Sequence, residues 1–158
     1  MKRWIGIDPG QTGGLAYLDD NGRLLDVAPM PGNAKEVSAS QVAQIIKLWV
    51  EDESAMWDNV SVAIEQVGSM PGQGVASTFK FGKSFGIVLG VIGALEIPMI
   101  RLTPQTWKKE MNLIGKEKHA ALGLANEMWP KHAIHWKFKK NDGLADAALI
   151  AETARRIR

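Results

Sequence analysis

Short apolar runs bounded by turn residues predict five β-strands along this chain. Asp20-Asn21-Gly22 is a strong hairpin signal between the second and third runs, and the fourth run alternates and is rich in β-branched residues. The predicted strands cover residues 3–7, 14–18, 23–28, 60–65 and 98–102.

Apolar residues recurring at helical spacing predict helices between and after these strands. Ser38 or Ser40 caps the first predicted helix, and Thr103 followed by Pro104 begins the third. The predicted helices follow residue 40, cover about 75–95, follow residue 103, and cover about 116–129 and 142–157. This order predicts an α/β or α+β layer with a mixed five-stranded sheet flanked by helices. A length of 158 residues suits one domain over 1–158.

Small residues recur every four positions in the second predicted helix, at Gly82, Gly86, Gly90 and Ala94. They permit another backbone to approach closely. We expect that backbone to belong to the same chain, and the alternative is a dimer partner.

Composition excludes several classes of site. The chain has no cysteine, so it has no disulfides, thiolate zinc sites or cysteine nucleophiles. The most apolar run, 85–95, is too short to cross a bilayer, and no signal peptide is recognised. We therefore expect a soluble, cytoplasmic protein without a membrane partner. His132 and His135 lack further zinc ligands, and we expect His119 on a polar helix face.

Charge is segregated along the chain. Residues 1–100 carry a net charge of −4, whereas residues 101–140 carry +6. Trp107 and Trp136 lie among these lysines, a pattern that suits a polyanion with stackable bases. A solvated lysine face without a partner is an equal alternative.

Four acidic residues stand at the ends of predicted strands and on the last helix. Asp8 and Glu65 end the first and fourth strands, and Asp142 and Asp146 share one face of the last helix. An all-carboxylate cluster favours Mg²⁺ or Mn²⁺, which can activate water for phosphodiester hydrolysis. Taken singly, each acid has a plainer interpretation as a turn residue, a helix cap or a surface group.

Five segments appear in an order typical of one nuclease family: IGIDPGQTGGLAY, VAIEQV, STFKFGKSFG, LTPQTWKKEMNLIGKEK and DGLADAALIA. In these motifs the chain resembles the RuvC Holliday junction resolvases, and within them the phage-type members. The resemblance implies an RNase H-like fold, a homodimer, Mg²⁺ with Mn²⁺ as substitute, and paired nicks across four-way and other branched DNA.

Carried onto this sequence, the resemblance implies catalytic, metal-binding carboxylates at Asp8, Glu65, Asp142 and Asp146. It implies DNA contacts from the loop and the basic segments, at Met70, Lys80, Lys83, Lys108 and Lys118. The last two aspartates are four residues apart, whereas the usual bacterial form spaces them three apart. Gly68, Ser69 and Met70 occupy the loop where bacterial RuvC carries aromatic residues, which leaves Met70 as the candidate apolar wedge.

Two other functions compete with this hypothesis. A nucleotide-binding phosphotransferase of the actin and sugar-kinase type also opens with an aspartate and a glycine-rich hairpin, but needs a second domain to enclose its nucleotide. A non-catalytic module that binds branched DNA is the other, and the presence of all four acids argues against it.

Overall fold

The sheet is built around its first strand, which has a neighbour on each side. The computed structural model describes residues 1–51, 57–69 and 71–158, so the predicted wedge Met70 lies outside the described residues. The strands are β1 (Arg3–Asp8), β2 (Gly14–Asp19), β3 (Leu24–Pro29), β4 (Val60–Glu65) and β5 (Met99–Leu102). Their order in the sheet is β3-β2-β1-β4-β5. Strand β1 pairs antiparallel with β2 and parallel with β4, β2 pairs antiparallel with β3, and β4 pairs parallel with β5.

Five α-helices flank the sheet in the described part of the chain, together with short 3₁₀ turns. The helices are α1 (Ala39–Glu51), α2 (Val75–Ala94), α3 (Pro104–Glu110), α4 (Ala120–Met128) and α5 (Asp142–Ile157). The 3₁₀ turns cover Trp57–Asn59, Pro130–Trp136 and Lys139–Asn141. The prediction of a mixed five-stranded sheet with flanking helices is therefore confirmed.

Local sequence signals account for most of these boundaries. Thr103 caps α3 because its side chain accepts a hydrogen bond from the Thr106 backbone N–H at 3.2 Å. The predicted start of the fourth helix near residue 116 is wrong, since α4 begins at Ala120. Gly115 has a φ of +74°, residues 116–117 have no regular structure, and residues 118–119 form a turn before the helix begins.

Alternating residues of the strands supply two cores, one on each face of the sheet. Trp4, Ala16 and Ala63 face the core shared with α3, α4 and α5. Ile5 and Ile7 face the opposite core, which contains residues of α1 and α2. The central strands are covered on both faces, and the ends of β1 and β4 are held between the two cores.

The small-residue face of α2 corrects one prediction. A Cβ added at Gly82, Gly86 or Gly90 would meet no atom of another described element within 4 Å, so this face does not pack against the described part of the chain. Val75 and Phe79 extend it and are 87% and 71% exposed. An 18-residue stretch of α2 has a mean hydropathy of 1.4, so by length and composition alone the helix could cross a membrane, but its opposite side contributes to the core with α1.

Candidate active site

Two parallel strands bring the first two acids to one edge of the sheet. Asp8 is the last residue of β1 and Glu65 the last residue of β4. The register pairs Ile7 with Ile64, so the two acids follow one step further along neighbouring strands. Because both strands run in the same direction, their terminal side chains lie beside each other, as the sequence predicts.

Helix α5 supplies the other two acids because glycines allow it to lie very close to β1. A Cβ on Gly6 would overlap the carbonyl oxygen of Ala147, and a Cβ on Gly143 would stand 2.5 Å from the Cα of Gly13. Neither position accepts a larger residue without displacing the helix. This contact places Asp146 within electrostatic reach of Asp8 and Glu65, and Asp142, the first residue of α5, lies one turn before it and interacts with Asp146.

The carboxylates interact electrostatically. Burial, followed by the negative charge of Glu65, raises the pKa of Asp8 from 3.8 to about 6, although the Gly10 N–H donates to Asp8 Oδ1 at 3.2 Å. Burial, then the charges of Asp8 and Glu65 and, less strongly, that of Asp142, raise the pKa of Asp146 from 3.8 to about 7. Keeping Asp8 and Asp146 charged therefore lowers the stability of the folded protein.

Glu65 is held from the opposite side by α3. Burial raises the pKa of Glu65, and a hydrogen bond from Trp107 Nε1 to Glu65 Oε1, at 2.8 Å, counteracts that rise. The positive charge of Lys108 lowers the pKa of both Glu65 and Asp146, so this lysine lies at the site. Lys108 Nζ also lies 5.4 Å from the centroid of the Trp107 ring.

The donor set suits a hard divalent cation. It consists of carboxylates only, and one oxygen of Asp8 and one of Glu65 are oriented by hydrogen bonds, leaving the second oxygen of each for a ligand. As placed, no three acidic or histidine side chains among the described residues are gathered closely enough to hold one ion. A bound cation would offset the repulsion between carboxylates that contributes to the raised pKa values of Asp8 and Asp146.

The remaining predicted DNA contacts lie on different surfaces. Lys80 is exposed on α2, and Lys118 is exposed in the turn before α4. Lys83 Nζ forms an ion pair with Glu36 Oε2 at 3.0 Å, so Glu36 partly neutralises the positive charge that Lys83 could offer to DNA. Of these lysines, Lys108 is the one that the structure places beside the carboxylates, and the DNA roles of all of them remain predictions.

The predicted base contacts from two tryptophans are wrong. Trp107 and Trp136 are 1% and 0% exposed, because each turns its ring into the core beneath α5. Trp107 positions Glu65, and Trp136 Nε1 donates to Asn126 Oδ1 at 2.7 Å. The role of Trp107 escaped the sequence analysis because the lysines around it suggested a surface position.

The histidines form no metal site with described residues. The rings of His132 and His135 have centroids 5.5 Å apart. Burial and then the neighbouring His135 lower the pKa of His132. His119 is exposed just before α4, as expected for a polar position.

Comparisons with known proteins give the fold. The chain is 21% identical to Thermus thermophilus RuvC in complex with a Holliday junction substrate, with a TM-score of 0.68 over 100% of this chain and 96% of that one. A second structure of T. thermophilus RuvC has a TM-score of 0.66, 23% identity and coverage of 99% and 95%. The yeast mitochondrial Holliday junction resolvase Ydc2 has a TM-score of 0.54, 15% identity and coverage of 98% and 78%. The predicted RNase H-like fold is confirmed.

Sequence comparison adds one curated relative. The chloroplastic Holliday junction resolvase MOC1 of Chlamydomonas reinhardtii is 34% identical over 86 residues, which are 54% of this chain and 10% of that protein. The chain therefore corresponds to about a tenth of that relative's length. No protein-family model matches the chain.

Proposed function

We propose that this chain is a divalent-metal-dependent endonuclease that resolves Holliday junctions, and cuts other branched DNA, by paired nicks as a homodimer. The observation that carries the proposal is the convergence of Asp8, Glu65 and Asp146 at one edge of the sheet, with Lys108 beside them. The names of the similar proteins support the substrate, since they include Holliday junction resolvases and a RuvC bound to a junction.

Each part of the site has a chemical task in this proposal. Mg²⁺ or Mn²⁺, held by Asp8, Glu65, Asp142 and Asp146, would supply the Lewis acid for attack of water on a phosphodiester. Trp107 fixes the orientation of Glu65 through its indole N–H. The charge of Lys108 is available to a phosphate oxygen as well as to the carboxylates.

The lysine-rich segment supplies the general affinity for DNA. Residues 101–140 carry nine basic and three acidic side chains, and such a stretch binds phosphates in a salt-dependent manner. Lys80 and Lys118 would contact the backbone, whereas Lys83 would have to exchange its partner Glu36 for a phosphate. Backbone contacts of this kind orient DNA without selecting its sequence.

The test is cleavage of a synthetic four-way junction in Mg²⁺ or Mn²⁺. We expect symmetric cuts by the unaltered protein and at least a roughly 100-fold loss of rate in Asp8→Asn. Glu127→Gln, which changes an exposed acid on α4, is the matched control and should cleave normally. A folded protein that binds junctions but cuts none, in either metal, would leave a DNA-binding module and refute the nuclease.

The exposed face of α2 supports the homodimer. Val75 and Phe79 are exposed apolar residues, and Gly82, Gly86 and Gly90 leave open space beside the helix. A second copy of the same face, related by a two-fold axis, would cover these residues on both helices. The two active sites of such a dimer would face strands related by the junction's own symmetry.

The dimer is tested by mass in solution. Light scattering should give twice the chain mass of 17.3 kDa, and Gly86→Glu should give the single-chain mass by placing a charge on the face. Gly123→Glu, at an exposed glycine of α4, is the control and should remain dimeric. A cruciform plasmid should be linearised by the dimer, but only nicked by Gly86→Glu. Monomeric unaltered protein at every concentration would exclude this interface.

A further inference from the structure

One large aromatic side chain is exposed immediately before the acids of α5. Phe138 is 60% exposed in the turn between the 3₁₀ turn Pro130–Trp136 and the start of α5 at Asp142. Trp136, two residues earlier, is fully buried. The chain therefore turns one aromatic ring into the core and the next one into solvent, four residues before Asp142.

The backbone around this ring is fixed by hydrogen bonds. The Asn141 N–H donates to the Phe138 carbonyl oxygen at 2.8 Å, and Asn141 Nδ2 donates to the His135 carbonyl oxygen at 3.1 Å. Trp136 anchors the preceding residues by donating to Asn126 Oδ1. A ring presented from a fixed turn loses little conformational entropy when a ligand covers it.

Charge around the ring selects the ligand. Lys137 and Lys140 are exposed on either side of Phe138, and neither forms an ion pair with a described residue. Asp142 follows at the beginning of α5. An exposed aromatic ring flanked in sequence by two exposed lysines that pair with no described acid suits a nucleotide, whose base stacks on the ring while its phosphates meet the ammonium groups.

We propose that Phe138 is a nucleotide-stacking residue: it packs against the base or sugar next to the cleaved phosphate, and Lys137 and Lys140 hold the adjoining phosphates. This inference rests on the nuclease function proposed above. It assigns to an exposed phenylalanine the aromatic contact that the buried tryptophans cannot make. Phe138 precedes Asp142 by four residues, so their backbones lie at most about 14 Å apart, and a contact within that range would hold the strand in register with the carboxylates.

The test compares Phe138→Ala and Phe138→Tyr with a matched control. Leu48→Ala removes a side chain of equal exposure, 59%, on α1, which lies against the other face of the sheet. We expect Phe138→Ala to raise the KM for a four-way junction about 10- to 100-fold. Phe138→Tyr should restore KM to within about threefold, because it keeps the ring. Leu48→Ala should leave KM unchanged.

A fluorescent base gives a readout that does not require cleavage. A set of junctions carries 2-aminopurine at one nucleotide each, at successive positions flanking the branch point, and each junction is bound in EDTA. At one position the unaltered protein should change the fluorescence, whereas Phe138→Ala should not. Equal KM values and equal fluorescence changes in the unaltered protein and Phe138→Ala would overturn the stacking contact and leave the proposed nuclease function standing. A Phe138-dependent change without cleavage in any metal would support the contact and refute the nuclease.

Discussion

Removing the charge of Asp146 should stabilise the metal-free protein while abolishing its activity. Burial and the neighbouring carboxylates raise the pKa of this residue from 3.8 to about 7. Such a group stabilises the folded state fully below its unfolded pKa, and that contribution is lost as pH rises through about 7. A shift of roughly three units corresponds to about 4 kcal/mol of unfavourable free energy at pH 8. Asp146→Asn avoids this penalty.

The assay is chemical and thermal unfolding between pH 4 and pH 8 in EDTA. At pH 8 we expect Asp146→Asn to unfold up to about 10 °C higher than the unaltered protein, and at pH 4 we expect little difference. Mn²⁺ should raise the melting temperature of the unaltered protein at pH 8 and have a much smaller effect on the variant. Glu127→Gln should follow the unaltered curve throughout.

The opposite ranking would refute this reasoning. If Asp146→Asn were as stable as the unaltered protein at pH 8, or less stable, Asp146 would not be a buried charge repelled by its neighbours. If both proteins responded equally to Mn²⁺, the carboxylates would not form the metal site. Either result would remove the physical basis of the proposed active site, whatever the protein binds.

Three further predictions concern packing, hydrogen bonding and pH. Gly143→Ala should destabilise the protein by about 1–3 kcal/mol in urea unfolding because its Cβ meets backbone, whereas Gly123→Ala, in open space on a helix, should stabilise it by about 0.5–1 kcal/mol. Trp107→Phe should raise the pKa of Glu65 and shift the acid limb of the pH–rate profile upwards, and an unchanged profile would exclude this role. Burial raises the pKa of Glu152, but hydrogen bonds from Arg155 and Arg156 outweigh burial and lower this pKa overall. Glu152→Gln should therefore reduce the free energy of unfolding at pH 7. That difference should begin to shrink below the ordinary pKa of 4.5 and be lost as the pH falls through the lowered pKa of the folded protein, and a constant difference would contradict the pairing.

The acids were predictable because the signal that identifies them is local. Asp8 and Glu65 each end an apolar strand, and parallel neighbours end at one edge of a sheet. Asp142 and Asp146 are four residues apart, which is one helical turn. Periodicity and strand ends therefore indicated the candidate site before any contact was known.

The supporting residues were not predictable from such signals. Trp107 lies in a lysine-rich run, but α3 is amphipathic and presents this ring to the core next to Glu65. The glycines show the same limitation. Gly143 is pressed against the turn between β1 and β2, whereas Gly86 faces open space, and nothing local in the sequence separates the two. Only the tertiary neighbours of each residue decide its role.

The packing of α5 that positions the acids also contributes free energy of folding that offsets the electrostatic cost of burying them. The inner face of α5 is formed largely by alanines, and Ala147 and Ala151 lie against Gly6 with no exposed surface, so the helix axis comes close to β1. Leu149 and Ile150 are also fully buried, and each contributes roughly 1.5–3 kcal/mol. Two such side chains balance the penalty of about 4 kcal/mol at Asp146. The small residues therefore set the distance between the carboxylates and β1, and the large ones supply the free energy that keeps a repelling pair of charges there.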